Sequence, residues 1–148
     1  MSPKPSIKVE EIDLQHTPEG IPVIVDRLRW SRSAAIAVNI SVGSRDEPSG
    51  KNGIAHLLEH LMFKGTEVRS SKDMSQQIEA AGGEMNGYTS KELTSYYVST
   101  IEETLPSAEA LLAEMVCRPL IDEKDIKNEK KVVTQEIKMS EDDPEGYI

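Results

Sequence analysis

The order of apolar and polar positions along the 148 residues predicts a mixed fold of short strands and helices. Val9–Leu14 alternates with one slip, and Ile21–Val25 is a β-branched run. Thr17-Pro18-Glu19-Gly20 separates them. Proline presets φ and glycine permits a positive φ, so the two runs read as one hairpin. Ala34–Val42 reads as a third strand, small on part of one face, which suits packing under a helix. A polar loop, Gly43–Gly53, holds Pro48 and three glycines. Ile54–Lys64 has helical spacing, with Gly65 as its stop. Ser70-x-x-Asp73 resembles a capping box ahead of a helix over Met74–Ala81, which Gly82-Gly83 ends. Glu84–Thr89 and Leu93–Ile101 read as antiparallel strands around Ser90-Lys91-Glu92. Leu105–Val116 is a helix that tolerates Pro106 in its first turn. Arg118-Pro119 breaks it. A last helix runs from Asp122 to Met139, and Asp142-Asp143-Pro144 ends it. The order βββααββαα belongs to the α+β class: a mostly antiparallel sheet with helices packed on one side. Residues 1–7, with two prolines, read as a loose tail, and residues 8–148 as a single domain.

Composition narrows the function. With 37% hydrophobic and 29% charged residues the chain can build a core and stay soluble. A net charge of −9 argues against nucleic acid, whose phosphates need a Lys/Arg face, and against docking on anionic lipid. No apolar run approaches the ~20 residues that span a bilayer. The Met-Ser-Pro-Lys-Pro-Ser start lacks an apolar signal region, so the expected location is cytoplasmic. The single cysteine, Cys117, excludes an internal disulfide; with no local base signature it reads as a small core residue at a helix end. Trp30 and Phe63 read as packing residues.

The chemistry concentrates in His56-Leu57-Leu58-Glu59-His60. Glu59 and His60 lie about 300° and 400° round a helix from His56, so all three share a sector about 100° wide. Imidazoles one helical turn apart can grip one metal ion. The carboxylate beside them can take a proton from water that the metal activates. This is the H-x-x-E-H pattern. In a chain of this composition a chance match is about 0.7%. Catalytic zinc wants three protein ligands and one open position. Glu129 and Glu136 in the last helix are seven residues apart and differ by only about 20° round it. Ile126, Val133 and Ile137 mark a core-facing stripe beside them, so at least one of the two carboxylates should lie near the apolar interface. Five lysines (124, 127, 130, 131 and 138) leave the alternative open that both carboxylates are solvated ion-pair partners. A purely structural zinc site would need a fourth ligand. The third histidine, His16, sits by a hairpin turn and reads as a surface residue.

From about Leu14 to Pro144 the chain resembles the pitrilysin/insulinase family of zinc peptidases, most closely the branch of the mitochondrial processing peptidase and its prokaryotic relatives. The residues that carry the likeness are 42–47 (Val-Gly-Ser-Arg-Asp-Glu), 53–66 around the histidine motif, 82–90 (Gly-Gly-Glu-Met-Asn-Gly-Tyr-Thr-Ser), Tyr96-Tyr97, and Glu129 through Glu136. The resemblance implies a partial version of the family's α/β half-domain. It implies zinc held by His56, His60 and Glu136, with Glu59 as general base and Glu129 in a supporting role. It further implies that Asn86, Gly87, Tyr88 and Thr89 form the edge strand to which a substrate peptide adds. Gly87 stands where alanine is commoner in the family.

The expected activity is that of a zinc metalloendopeptidase acting on extended peptides. Members of the family are longer, so the chain is expected to be an N-terminal fragment. Its expected partners are peptide substrate and a homologous second half or subunit, or further copies of itself. The alternative is a peptide-binding or assembly module of a larger peptidase, with weak turnover or none.

Overall fold

The computed structural model describes residues 12–141. The tail expected over residues 1–7, the start of the first strand at 9–11 and the helix stop at 142–144 lie outside them. The elements follow the order expected from the sequence: β1 (Ile12–His16), β2 (Pro22–Asp26), β3 (Ser33–Ile40), α1 (Ile54–Met62), α2 (Ser71–Ala80), β4 (Glu84–Thr89), β5 (Thr94–Ile101), α3 (Leu105–Cys117) and α4 (Glu123–Glu141). Among the described residues every strand pairing is antiparallel, and the strands form two sheets. No helix of the described residues is long and apolar enough to cross a membrane.

By its contacts the chain divides after Arg32 into two compact units. The first holds the β1–β2 hairpin, in register from Ile12↔Asp26 to His16↔Pro22. Its turn closes through the Gly20 amide, which donates to the Thr17 carbonyl at 2.9 Å, with Gly20 at φ +86°. His16 is exposed, as expected for a turn-flanking residue. Trp30 is not the packing residue suggested by its size: it is 78% exposed. Among the described residues of this unit the hairpin has no second layer to cover an indole.

The second unit is built on the sheet β3-β5-β4. The registers Ile36↔Val98↔Met85 and Val38↔Tyr96↔Gly87 place these residues on one face, because strand side chains alternate. All the packed helices share that face. Tyr96 and Val98 are buried there with Met62 of α1, Met74 and Ile78 of α2, and Ala108, Leu111, Leu112 and Met115 of α3. The α3 residues repeat at helical spacing, so one apolar stripe meets the sheet. Truncating a side chain as buried as Met74 or Leu111 to alanine costs about 2–5 kcal/mol. Cys117 is a second correction: it is exposed. It lies two residues past Met115, about 200° round the helix and off the stripe. Phe63 does pack, tilted against Tyr96 with ring centroids 6.1 Å apart.

Two local devices fix the helices. Ser70 and Asp73 form the expected capping box at α2: the Ser70 hydroxyl accepts from the Asp73 amide and the Asp73 carboxylate accepts from the Ser70 amide, each at 3.2 Å. That hydrogen bonding, the Ser70 hydroxyl first, holds the Asp73 carboxyl below its ordinary value. Helix α1 is capped from a distance. The Glu47 carboxylate accepts from the amides of Gly53 at 2.7 Å and Ala55 at 2.9 Å. Its loop is strapped to the β4–β5 turn, where the amides of Ser44 and Arg45 donate to the carbonyls of Ser90 and Lys91. The approach is so close that a Cβ on Gly43 would lie 2.4 Å from the Ser90 oxygen.

Candidate metal centre

Helix α1 delivers both imidazoles to one side. The rings of His56 and His60 stand edge to face at 79°, with centroids 4.8 Å apart, and their Nε2 atoms are 3.2 Å apart. Helix α4 packs on α1 and brings Glu136 to the same point. Its Oε2 lies 3.5 Å from His56 Nε2 and 3.4 Å from His60 Nε2. A tetrahedron with arms of about 2.0–2.1 Å, the bond lengths of zinc to nitrogen and oxygen, has edges of about 3.3–3.4 Å. The donor triangle fits such an ion, with three ligands and room for a fourth.

The sequence-predicted carboxylates divide the work. Glu129 is the buried one, 8% exposed, two turns before Glu136. Its Oε2 is 3.1 Å from His60 Nδ1 and its Oε1 is 2.8 Å from Lys64 Nζ. Burial pushes the Glu129 carboxyl up, but the hydrogen bonds and charges of Lys64 and His60 outweigh it and hold it below its ordinary 4.5. An ionised carboxylate only accepts, so His60 Nδ1 carries the hydrogen, which leaves Nε2, facing His56 and Glu136, as the nitrogen that can offer a lone pair. The alternative of two solvated glutamates paired to the α4 lysines does not hold for Glu129, since its cation is Lys64, two residues past the end of α1. Of the stripe expected beside it, Val133 is buried and Ile126 half-buried. Ile137 is exposed and borders the cleft.

Glu59 lies on the same side of α1 as the histidines. One of its oxygens, Oε2, accepts a 2.6 Å hydrogen bond from the Thr89 hydroxyl. Both residues line a cleft of about 620 Å³, with His56, Tyr88, Ser44 and Glu47 among its walls. Strand β4, with Asn86, Gly87, Tyr88 and Thr89, is an edge strand: it pairs with β5 and, among the described residues, with no other strand. Gly87 is held tightly there, since an added Cβ would meet Ser95 O at 3.0 Å, Tyr96 Cδ1 at 3.1 Å and Phe63 Cζ at 3.2 Å. Tyr96 sits beneath the strand, its phenol pushed up to about 12, by burial first and then by the Glu59 charge.

The structure thus brings together every metal-site residue expected from the sequence. Three participants escaped that reading. Glu47 and Lys64 lie within the motifs that carry the family likeness, yet nothing in their local spacing announces a cap or a counter-ion. Thr89 was expected only as part of the edge strand.

Residues 23–148 match the family described as Insulinase (Peptidase family M16). The chain belongs to that family. It is 44% identical over 127 residues to an uncharacterized zinc protease of Streptomyces coelicolor, covering 86% of this chain and 28% of that protein. To the uncharacterized zinc protease YmxG of Bacillus subtilis it is 40% identical over 129 residues, covering 87% and 32%. The crystal structure of a protease from Helicobacter pylori superposes with a TM-score of 0.85 at 30% identity, over 93% of this chain and 33% of that one. Pitrilysin shares the fold, with a TM-score of 0.80 at 24% identity over 93% of this chain and 15% of its own. The chain therefore spans about a third of the length of the curated relatives it matches.

Proposed function

We propose that this chain carries the metal centre of a zinc metalloendopeptidase that hydrolyses extended peptides. One observation carries the reading: two imidazole nitrogens and a carboxylate converge within 4.8 Å of one another, beside the Glu59 carboxylate and a strand edge that no other strand covers among the described residues. His56, His60 and Glu136 would hold the zinc. Bound there, zinc would polarise a substrate carbonyl and make water a stronger acid. The protein's own residues do the rest. Glu129 fixes the His60 ring and its tautomer. The outer edge of β4, which no other strand covers among the described residues, aligns an extended peptide by strand addition, which demands little of its sequence; there the Gly87 amide exchanges its 2.8 Å bond to Asn86 Oδ1 for the peptide. Glu59 takes the proton of the attacking water and passes it to the leaving amine.

The test is Glu59→Gln in the full-length protein. Zinc content should stay at wild-type stoichiometry while turnover of a reporter peptide falls by at least about 100-fold, the lower bound for a general base. Wild-type turnover in this variant would refute the assigned role, and chelator-insensitive cleavage by the wild type would refute the metal. As for partners, the reading takes peptide as substrate and a homologous second half or subunit as the completion of the cleft. Analytical ultracentrifugation of the full-length protein, alone and with candidate subunits, tests the latter.

A further inference from the structure

Among the described residues Glu59 has one hydrogen-bond partner, and it comes from the edge strand rather than from a helix. Thr89 is the last residue of β4 and points to the helix-covered side, in register with Thr94 of β5. That end of the strand is pinned on several sides. The Thr94 hydroxyl donates to the Val42 carbonyl at 2.8 Å, and the Ser90 amide donates to the Leu93 carbonyl at 2.7 Å. The strap from Ser44 and Arg45 closes over Ser90 and Lys91. The Thr89 hydroxyl is therefore presented from a rigid strand end, while the Glu59 carboxylate is carried at the tip of a long side chain with a broad terminal torsion. The bond occupies Oε2 and leaves Oε1 for proton transfer.

We propose that Thr89 is a positioning residue for the general base: its hydroxyl fixes the rotation of the Glu59 carboxylate, so that the strand receiving the substrate also aims the base acting on it. This rests on the reading of Glu59 as general base. A group held by a rigid element and a supporting hydrogen bond stays in productive geometry, whereas a free carboxylate spends most of its time in other rotamers. A purely structural role for Thr89 predicts something different: damage to the strand edge and weaker peptide binding.

The experiment uses the full-length zinc-loaded protein, a reporter peptide and a non-cleavable peptide of the same sequence. Thr89→Val keeps the β-branched shape and removes the donor. It should lower kcat about tenfold, as expected for a lost hydrogen bond to a charged group, and leave KM within about twofold. Zinc content and the Kd of the non-cleavable peptide should match wild type. Thr89→Ser keeps the donor and should retain kcat within about threefold. On a Glu59→Gln background, Thr89→Val should cause no further loss, because its effect passes through Glu59. The proposal is overturned if Thr89→Val turns over like wild type, if its loss falls on KM and Kd, or if Thr89→Ser fails as badly as Thr89→Val. The two readings separate cleanly. A Glu59→Gln variant with wild-type turnover sinks the general-base assignment itself, whereas an inactive Glu59→Gln beside a fully active Thr89→Val sinks only the role of Thr89.

Discussion

The two ends of one stretch of α4 carry the same side chain and do different things. Glu129 is buried, touches His60 through one oxygen and Lys64 through the other, and has no oxygen left over. Glu136, two turns on, has a half-exposed side chain, and its contacts are the two Nε2 atoms. Both glutamates face α1, so helix periodicity does not separate them. Their surroundings do. A buried carboxylate must be compensated, and Lys64 and His60 compensate Glu129, which makes it a fixed anion that orients a ring. Among the described residues no lysine or arginine pairs with the exposed Glu136 carboxylate, so it stays available, which is what a ligand needs.

The sharpest way to break this contrast is to remove each glutamate in turn and measure zinc. Glu136→Ala takes away one of three donors. Zinc content of the dialysed protein should fall close to zero, and peptide turnover by more than about 100-fold. Retention of stoichiometric zinc would mean that the triangle around His56 and His60 is not the ligand set. Glu129→Gln should do less. The amide keeps the shape and can still accept from His60 Nδ1, but its charge is gone. Partners that hold a ligating histidine typically contribute about 10–100-fold in metal affinity or activity, so zinc Kd should rise within that range. If Glu129→Gln proved as severe as Glu136→Ala, the two carboxylates would have to be treated as equivalent ligands.

The sequence made this division only half visible, for a physical reason. Local patterns carry local information. The capping box at Ser70–Asp73, the hairpin turn at Thr17–Gly20 and the one-turn spacing of His56 and His60 were all legible, because each is settled within a few residues. The element order was legible too, since periodicity changes along the chain from 2 to 3.6, back to 2 and again to 3.6. What could not be read from spacing was any contact that depends on how α1 meets α4 or the 43–47 loop. The pairing of Lys64 with Glu129 spans 65 positions and that of Thr89 with Glu59 spans 30. Glu47 reaches α1 across a glycine-rich loop, where no cap motif exists to be matched. The family likeness supplied the partner of the histidines, Glu136, which spacing alone left undecided between two glutamates. Trp30 and Cys117 were misjudged because residue type is a weak guide where the surrounding unit is thin or the residue falls off the apolar stripe.

Lys64 gives the smallest and most discriminating effect. Its ammonium pairs with Glu129 and, among the described residues, with neither histidine nor the Glu136 carboxylate. If Glu129 acts as a fixed anion, Lys64 acts only by keeping it one. Lys64→Met, which preserves the aliphatic stem, should therefore raise zinc Kd by no more than about fivefold, below the about 10–100-fold expected of a partner that touches the ligand directly. The decisive measurement is the double variant. Contacting residues couple, whereas distant ones add. In a Glu129→Gln background the neutral amide no longer needs a counter-ion, so Lys64→Met should then cost nothing measurable in zinc affinity. An equal cost in both backgrounds would show that Lys64 reaches the metal centre by some route other than Glu129, and the contrast between the two glutamates would lose its electrostatic cause.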